Sequence, residues 1–482
     1  MAMAMRITAS LGVLFLGLTM AGCVTDDTGV EPDTDADVGD ASDGGSGSGD
    51  DADGQCEGLE CDQVECDGDQ TTRISGVVHI PSGELPLPNV DVWVPNAELS
   101  PVEHGATCEP CEEELPGSPV VSASTDTGGR FEIEDAPAGD DVPVVIQTGK
   151  WRRAITVDVE PCAENEISDP DRTRLPRNQS EGTLPRIAVT TGACDALECL
   201  VGKLGVDESE FSPESGDGSI HLYQGGVGLD LPQGVPAGRG MYTDDSDHDV
   251  AAPGESFSLA QELWDDEDAL MDYDIVINSC ECAPDTQNKS VGAREALEAY
   301  TEAGGRAFLS HWHYVWLDEA PGALASVANW TDTRTYPDDE EAQTARINDG
   351  FEDGQKLSEW MLEIGGSEDY GEFTLFEARS TIQDIDTELA DNWITFDNLA
   401  DGGREQSQYM SFNTPVGEPD QCGRVVFSDI HVTSEVAGGD RSGEGHPFPE
   451  GCSDAIQAQE KALIYLLFDV GACIDREVPP IE

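Results

Sequence analysis

The spacing of apolar positions changes character along the chain. Between residues 72 and 187 they come in short alternating runs, at 74–80, 90–94, 130–133, 142–147 and 154–159. Alternation turns one side of each run to a core and the other to water, so these runs predict strands. Gly128-Gly129 supplies a turn ahead of Arg130. Short strands with turn signals between them predict an antiparallel β-sandwich. From about residue 184 to 474 the pattern becomes strand, then helix. Short apolar runs at 186–190, 220–223, 273–278, 306–310 and 423–428 alternate with helix-like stretches at 194–204, 259–271, 291–303, 353–364 and 455–470. The unbroken run at 273–278 suits a strand buried on both faces. Gly304-Gly305 and Gly365-Gly366 stop two of the helices. This alternation predicts an open α/β sheet covered on both faces. The expected fold is therefore multi-domain, a sandwich followed by an α/β region.

Ahead of both regions, residues 7–20 form an apolar run behind the single early charge of Arg6. It is shorter than the roughly 20 residues that a membrane-spanning helix needs, and it reads as an export signal over residues 1–22. The run ends Thr19-Met20-Ala21-Gly22-Cys23, which resembles a bacterial lipobox. The resemblance implies cleavage before Cys23 and a diacylglyceryl group on its thiol. The membrane would then be a partner, and the cell envelope, facing periplasm or surface, the location. Residues 24–70 hold 17 acidic side chains and no Lys or Arg. Such a segment lacks the apolar surface to offset its ordering entropy, so 23–71 is expected to be a disordered acidic tether.

Gly76-Val-Val, Leu87-Pro-Asn-Val-Asp-Val92 and Thr125-Asp-Thr-Gly-Gly-Arg-Phe131 resemble the carboxypeptidase regulatory-like family. The resemblance implies a transthyretin-like sandwich over residues 72–183, serving as a non-catalytic spacer or binder. An insertion at 96–119, carrying Cys108 and Cys111, departs from the pattern. Trp93 and Trp151 are candidate sugar-stacking rings. Lys150-Trp-Arg-Arg153 either grips an anionic glycan or, in so acidic a chain, pairs internally.

Four later segments stand in order: YDIVINSCEC from Tyr273, LEAYTEAGGRAFLSHWHYVW from Leu297, DNWITFDN from Asp391 and CGRVVFSDIHV from Cys422. Together they resemble the trehalose-utilisation-type family, a branch of the class I glutamine-amidotransferase-like fold. The resemblance implies an open, flavodoxin-like α/β architecture over residues 184–482, with two strands closing on His.

Ligands of open α/β sheets bind beyond the carboxyl ends of the strands. His311 and His313 close one predicted strand; Asp429 and His431 follow another. Residues two apart share a face on extended backbone, so these four are expected to meet in one cleft. Three imidazoles and a carboxylate suit a divalent metal or acid–base work on a carbohydrate; the plainer role is a polar network tying loops down. Trp312, Trp316 and Arg424 are candidate ligand contacts beside them. Cys280 also closes a strand, but Asn278-Ser-Cys-Glu-Cys282 lacks the flanking glycines of a nucleophile elbow. A disulfide or an inert thiol is the expectation there. The missing elbow weighs against an enzyme. The favoured function is non-enzymatic binding of a glycan or small molecule; a hydrolase-like enzyme and a structural spacer are the alternatives.

The chain has 14 Cys, so lipidation of Cys23 leaves 13. They fall in three odd-numbered groups, which requires pairing across groups or free thiols. Cys56, Cys61 and Cys66 are expected to form one local disulfide and reach one partner elsewhere. Cys108-x-x-Cys111 lacks the second ligand pair of a zinc site. Finally, 99 Asp plus Glu oppose 24 Lys plus Arg, a net charge of -75. Such a chain repels phosphates, which excludes nucleic acid as a partner. The tether holds only 17 of the acids, so 99 - 17 = 82 remain in the rest of the chain, and the folded regions are themselves acidic.

Overall fold

In a computed structural model, residues 56–111, 114–192, 194–226, 257–331, 336–338, 341–432, 452 and 455–474 are described. The export signal, Cys23 and the tether as far as Gln55 lie outside the described residues. Strands outweigh helices. The first seven are β1 (Arg73–Val77), β2 (Asp91–Pro95), β3 (Pro119–Ser124), β4 (Arg130–Ile133), β5 (Gly139–Thr148), β6 (Trp151–Val159) and β7 (Glu164–Ile167). They make two sheets, β4-β1-β7 and β3-β2-β5-β6. All pairs are antiparallel except β1 with β7. The alternation works as expected in β4, where Phe131 and Ile133 face inward and Arg130 and Glu132 outward. β3 carries little such contrast, its residues being half-buried or exposed, and β7 buries only Ile167, so the apolar pattern does not mark them.

Both tryptophans proposed for sugar stacking are core residues. Trp93 is buried and donates Nε1–H to the Pro116 carbonyl; Trp151 is buried against Phe468. Lys150 is buried too, 2.7 Å from a Glu109 carboxylate oxygen, so this part of the basic cluster pairs internally. The acidic linker also ends sooner than its composition implies. Residues Gly58–Asp62 form a 3-10 turn whose Leu59 N–H donates to Asn96 Oδ1 at 2.7 Å. Disulfides Cys56–Cys61 and Cys66–Cys162 fasten it. Covalent cross-links supply the order that a scarcity of apolar side chains cannot.

The remaining strands are β8 (Ile187–Thr190), β9 (Phe211–Ser212), β10 (Ile220–Tyr223), β11 (Ile275–Asn278), β12 (Arg306–Ser310), β13 (Ala328–Trp330), β14 (Gln343–Ile347), β15 (Glu372–Leu375), β16 (Ile382–Ile385), β17 (Asp391–Asn398), β18 (Arg404–Thr414) and β19 (Gly423–Ser428). Ten of them form one sheet in the order β15-β14-β17-β18-β19-β12-β11-β8-β10-β9, and β13 pairs with β16 apart from it. From β9 to β19 the pairing is parallel; from β19 to β15 it is antiparallel. Numbering β8, β10, β11, β12 and β19 as 1 to 5 gives the spatial order 2-1-3-4-5, whose reversal lies between β8 and β11. Every residue of β8, β10, β11 and β12 is buried, as their unbroken apolar runs require.

Helices Val291–Glu302, Glu352–Glu363 and Ala458–Gly471 follow the predicted stretches. The single helix expected at 259–271 is two, Ala260–Trp264 and Glu267–Met271. Asp266 breaks it by capping the second, accepting from the Ala269 N–H. Two disulfides, Cys108–Cys422 and Cys111–Cys473, join the insertion of the sandwich to the late part of the sheet. Asp274, just before β11, accepts from the backbone N–H groups of Gly105 and Arg186 at 2.7 and 2.6 Å. The sandwich and the sheet thus share one continuous apolar core, within a single compact unit that starts at Cys56.

Candidate functional site

β11, β12 and β19 are neighbours in parallel register, with Asn278 opposite Leu309 and Ser310 opposite Ser428. Residues just past these strand ends therefore gather at one place. Cys280 follows β11, at the reversal beside β8, while His311 follows β12 and His431 follows β19. His311 stands at φ 39°, a left-handed conformation that costs a non-glycine residue energy. There the chain leaves the strand and enters a 3-10 turn, His311–Tyr314. His311 Nδ1 lies 3.5 Å from Cys280 Sγ, and the ring centroids of His311 and His431 are 5.1 Å apart. One ligand-capable atom from each of Cys280, His311 and His431 falls within 4.8 Å of the others.

All three residues are at most 3 % exposed. Nε2 of His311 and both ring nitrogens of His431 have no hydrogen-bond partner, and the nearest Glu377 oxygen is 3.7 Å from His431 Nδ1. A buried Asp195 fixes the backbone on both sides. It accepts from the Ser310 hydroxyl, next to His311, and from the Val432 N–H, next to His431. Burial pushes the Asp195 carboxyl above its ordinary range, partly offset by His431 and these hydrogen bonds. The two imidazoles titrate apart. Burial, with His431, Arg379 and His313 nearby, drives His311 well below the usual histidine range, which keeps it neutral. Burial also opposes charge on His431, but Cys280, Glu377 and Asp195 outweigh it and push that ring up to about 10.

The other expected members are elsewhere. His313 does not share a face with His311, because the strand stops at Ser310 and the turn sends the two rings apart. Its Nε2–H donates to the Ser279 carbonyl at 2.8 Å and its Nδ1 accepts from Trp316 Nε1–H at 2.9 Å, so both nitrogens are used. Burial lowers its pKa well below the usual value, and the neutral ring acts as a structural bridge. Asp429 spends its carboxylate on Thr381, accepting from the backbone N–H at 2.8 Å and the hydroxyl at 2.6 Å. Burial pushes it up to about 6. Trp316 is 1 % exposed and offers a ligand no face. Trp312 is half-buried, its ring centroid 4.9 Å from that of His311. Arg424 lies at the amino end of β19 and pairs with Asp469 at 2.8 Å.

Two members of the cluster escaped the sequence pattern. Asp195 carried only the hint of an acid just after a strand. For Cys280 a disulfide or an inert thiol was expected; Cys282 pairs with Cys194, and among the described residues Cys280 is the free thiol left by six disulfides. The odd cysteine count required such a remainder without saying which residue it was.

At the opposite, amino end of β8, β10 and β11, a cleft of about 700 Å³ opens beside the segment 179–184 that leads into this sheet. Arg186, Asp217, His221, Tyr223, Asp272 and Tyr273 are among its lining residues. Tyr273 Oη is 2.8 Å from both His221 Nδ1 and Tyr223 Oη. Burial and the nearby Arg186 lower the His221 pKa, while burial raises Tyr273 and pushes Tyr223 up to about 12. The trio is therefore neutral. His221 Nε2 has no hydrogen-bond partner.

No family model and no curated protein matches the chain. Among solved structures, it is similar to a type II cohesin–X-dockerin complex of Acetivibrio cellulolyticus, an N-terminal interface mutant. That match has 17 % identity, 30 % coverage of this chain, 78 % of the other and a TM-score of 0.14. The C-terminal interface mutant of that complex gives 21 % identity, 34 % and 86 % coverage and the same score of 0.14. The major pilin subunit BcpA of Bacillus cereus gives 8 % identity, 22 % and 30 % coverage and 0.14. Likenesses this slight carry no argument. Among the described residues no helix is long and apolar enough to cross a membrane.

Proposed function

We propose that this chain is a lipid-anchored protein of the bacterial cell envelope that binds a polar ligand, with a glycan as the best chemical fit, and does not turn it over. The cleft at the amino end of the parallel strands carries this reading. Its volume of about 700 Å³ suits an oligosaccharide unit, and its lining mixes donors and acceptors, with the carboxylates of Glu214, Asp217 and Asp272 set against the Arg186 guanidinium. Neutral Tyr and His hydroxyl and ring groups match sugar hydroxyls, which both donate and accept. The lipobox-like Thr19-Met20-Ala21-Gly22-Cys23 and the acidic segment behind it support anchorage. Seven strands in two sheets support a carboxypeptidase regulatory-like sandwich, and the strand order 2-1-3-4-5 supports an amidotransferase-like α/β region.

The test is calorimetric titration of the full chain with a panel of soluble envelope and plant-type oligosaccharides. A binder should emerge whose affinity falls at least tenfold in Arg186→Ala and in His221→Ala. Equal affinity in both variants would remove the cleft from consideration. Cys23→Ser should release the protein into the soluble fraction; retention at the membrane would refute the anchor. The hydrolase alternative has one observation in its favour, the 3.5 Å approach of Cys280 Sγ to His311 Nδ1. Against it, the thiol is fully buried, and His313 and Asp429 are spent on structural contacts.

A further inference from the structure

We propose that Cys280, His311 and His431 hold a single transition-metal ion of the borderline-soft class, zinc or copper, at the carboxyl end of the parallel strands. The inference is independent of the cleft and of glycan binding, and would survive their failure.

The donor set selects the metal. One thiolate and two imidazoles suit zinc and copper; calcium and magnesium need oxygens. Two nearby carboxylates are otherwise engaged, Asp429 by Thr381 and Asp195 by Ser310 and Val432. The geometry is close to a coordination shell. Bonds of about 2.0–2.3 Å in a tetrahedral site put neighbouring donor atoms roughly 3.5 Å apart. Sγ and His311 Nδ1 already stand at 3.5 Å, and the three donors span no more than 4.8 Å, so a modest inward turn of His431 completes the site.

Three further features are hard to explain in a merely packed core. Buried polar atoms are almost always hydrogen-bonded, yet both His431 nitrogens have no partner, and an ion would take up one of them. The three residues come from three separate strand ends, and one carboxylate, Asp195, ties down two of those ends by gripping the residue before His311 and the residue after His431. Supporting contacts of this kind are typical of metal ligands. Glu377, 3.7 Å from His431 Nδ1, is placed to orient that ring. Third, the twelve other described cysteines are all oxidised in six disulfides, while Cys280 has no sulfur partner. In an oxidising compartment, coordination adds to burial in keeping a thiol from oxidation. Gly192 permits this packing, since a Cβ there would stand 2.2 Å from the Cys280 carbonyl oxygen. On binding, the Cys280 thiol and the His431 imidazolium each lose a proton to solvent, and the sulfur and ring-nitrogen lone pairs go to the metal. Three protein ligands leave one position open, the pattern of reactive rather than structural zinc.

The experiment uses the full chain, in unaltered and Cys23→Ser forms, so that Cys280 supplies any thiolate signal. Each is incubated separately with zinc, copper(II) and cobalt(II), dialysed and analysed for metal. About one equivalent of zinc or copper per chain is expected, with the better-retained ion naming the native metal. Cobalt or copper should give an intense sulfur-to-metal charge-transfer band. Cys280→Ser should abolish the band, and His431→Ala should lower retained metal at least tenfold, while His104→Gln leaves both unchanged. Circular dichroism checks that the variants are folded. If the unaltered protein is folded but keeps no ion and shows no band, the proposal fails. It fails equally if the band persists in folded Cys280→Ser.

Discussion

The two ends of the same parallel strands are built on opposite principles. At the carboxyl end of β11, β12 and β19, ionisable groups are sealed away from water, and the carboxylates among them are answered by partners inside the protein. Glu281 and Lys289 form an ion pair there with both side chains fully buried, and Asp195 and Asp429 each accept at least two hydrogen bonds. At the amino end of β8, β10 and β11, charged groups such as Arg186 and Asp217 border open space. The sheet does not dictate this difference. What dictates it is which side chains follow or precede the strands, and whether neighbouring segments leave a gap over them. A sealed end can hold a small ion and fix its geometry; an open end can admit a flexible ligand.

The sharpest way to break the comparison is to unbalance the sealed end. Burial raises the Glu281 carboxyl above its ordinary range, and Lys289 is what counters that. Lys289→Met strips the partner from a buried carboxylate and should cost about 3–5 kcal/mol in urea unfolding. Adding Glu281→Leu should return a large part of that loss, because two apolar groups need no mutual charge. A single substitution costing under about 1 kcal/mol would mean that this end is wetter than its burial shows. Next in size is the covalent brace. Cys194–Cys282 closes 88 residues and flanks Cys280. Replacing both with Ala should cost about 2–4 kcal/mol and weaken metal retention as well. An unchanged metal content would separate the brace from the centre.

These residues also show how far the sequence could be read. Unbroken apolar runs located β8, β10, β11 and β12, because strands buried on both faces leave that trace. The antiparallel half of the sheet left less. β18 mixes Gln406, Ser407 and Gln408 into buried positions, where hydrogen bonds rather than apolar surface satisfy them. At the site, His311 and His431 were legible as residues closing strands. Cys280 was legible as closing a strand too, but not as the thiol that stays free. His313 drops out through a backbone turn that the aromatic run 311–316 does not announce. Cys280 enters because Cys282 finds Cys194, a pairing fixed only by the three-dimensional path of the chain.

At the open end the effects should be smaller. Tyr223→Phe removes one hydrogen bond to Tyr273 and leaves the packed ring in place. It should cost about 0.5–1.5 kcal/mol in unfolding. A loss above about 3 kcal/mol would place this trio with the sealed class of groups.

The smallest effect belongs to the support behind the cleft, and its sign separates the two ends. Glu181 sits between the cleft residues Gln179 and Gly182, accepting from Arg174 Nη1 and Nη2 at 2.6 and 2.8 Å and from the Arg177 N–H at 2.8 Å. The Arg174 guanidinium is the main cause that holds its carboxyl down, from about 4.5 to about 2. A carboxyl with a depressed value stabilises the fold above the unfolded value and loses that contribution as pH falls toward the folded one. Glu181→Gln should therefore be less stable than the parent at pH 7, and the two should converge as pH drops from 4.5 to 2. With Glu181 24 % exposed, solvent screening holds the gap to about 1 kcal/mol. Concentrated salt should narrow that gap further while leaving the Lys289→Met penalty nearly intact, since mobile ions do not reach a fully buried pair. Urea midpoints at pH 7 and pH 3, each with and without 1 M salt (roughly a 3 Å screening length), read both trends. If salt or acid moves the two variants alike, the two ends of the sheet do not differ in solvent access, and the contrast between a sealed centre and an open cleft is lost.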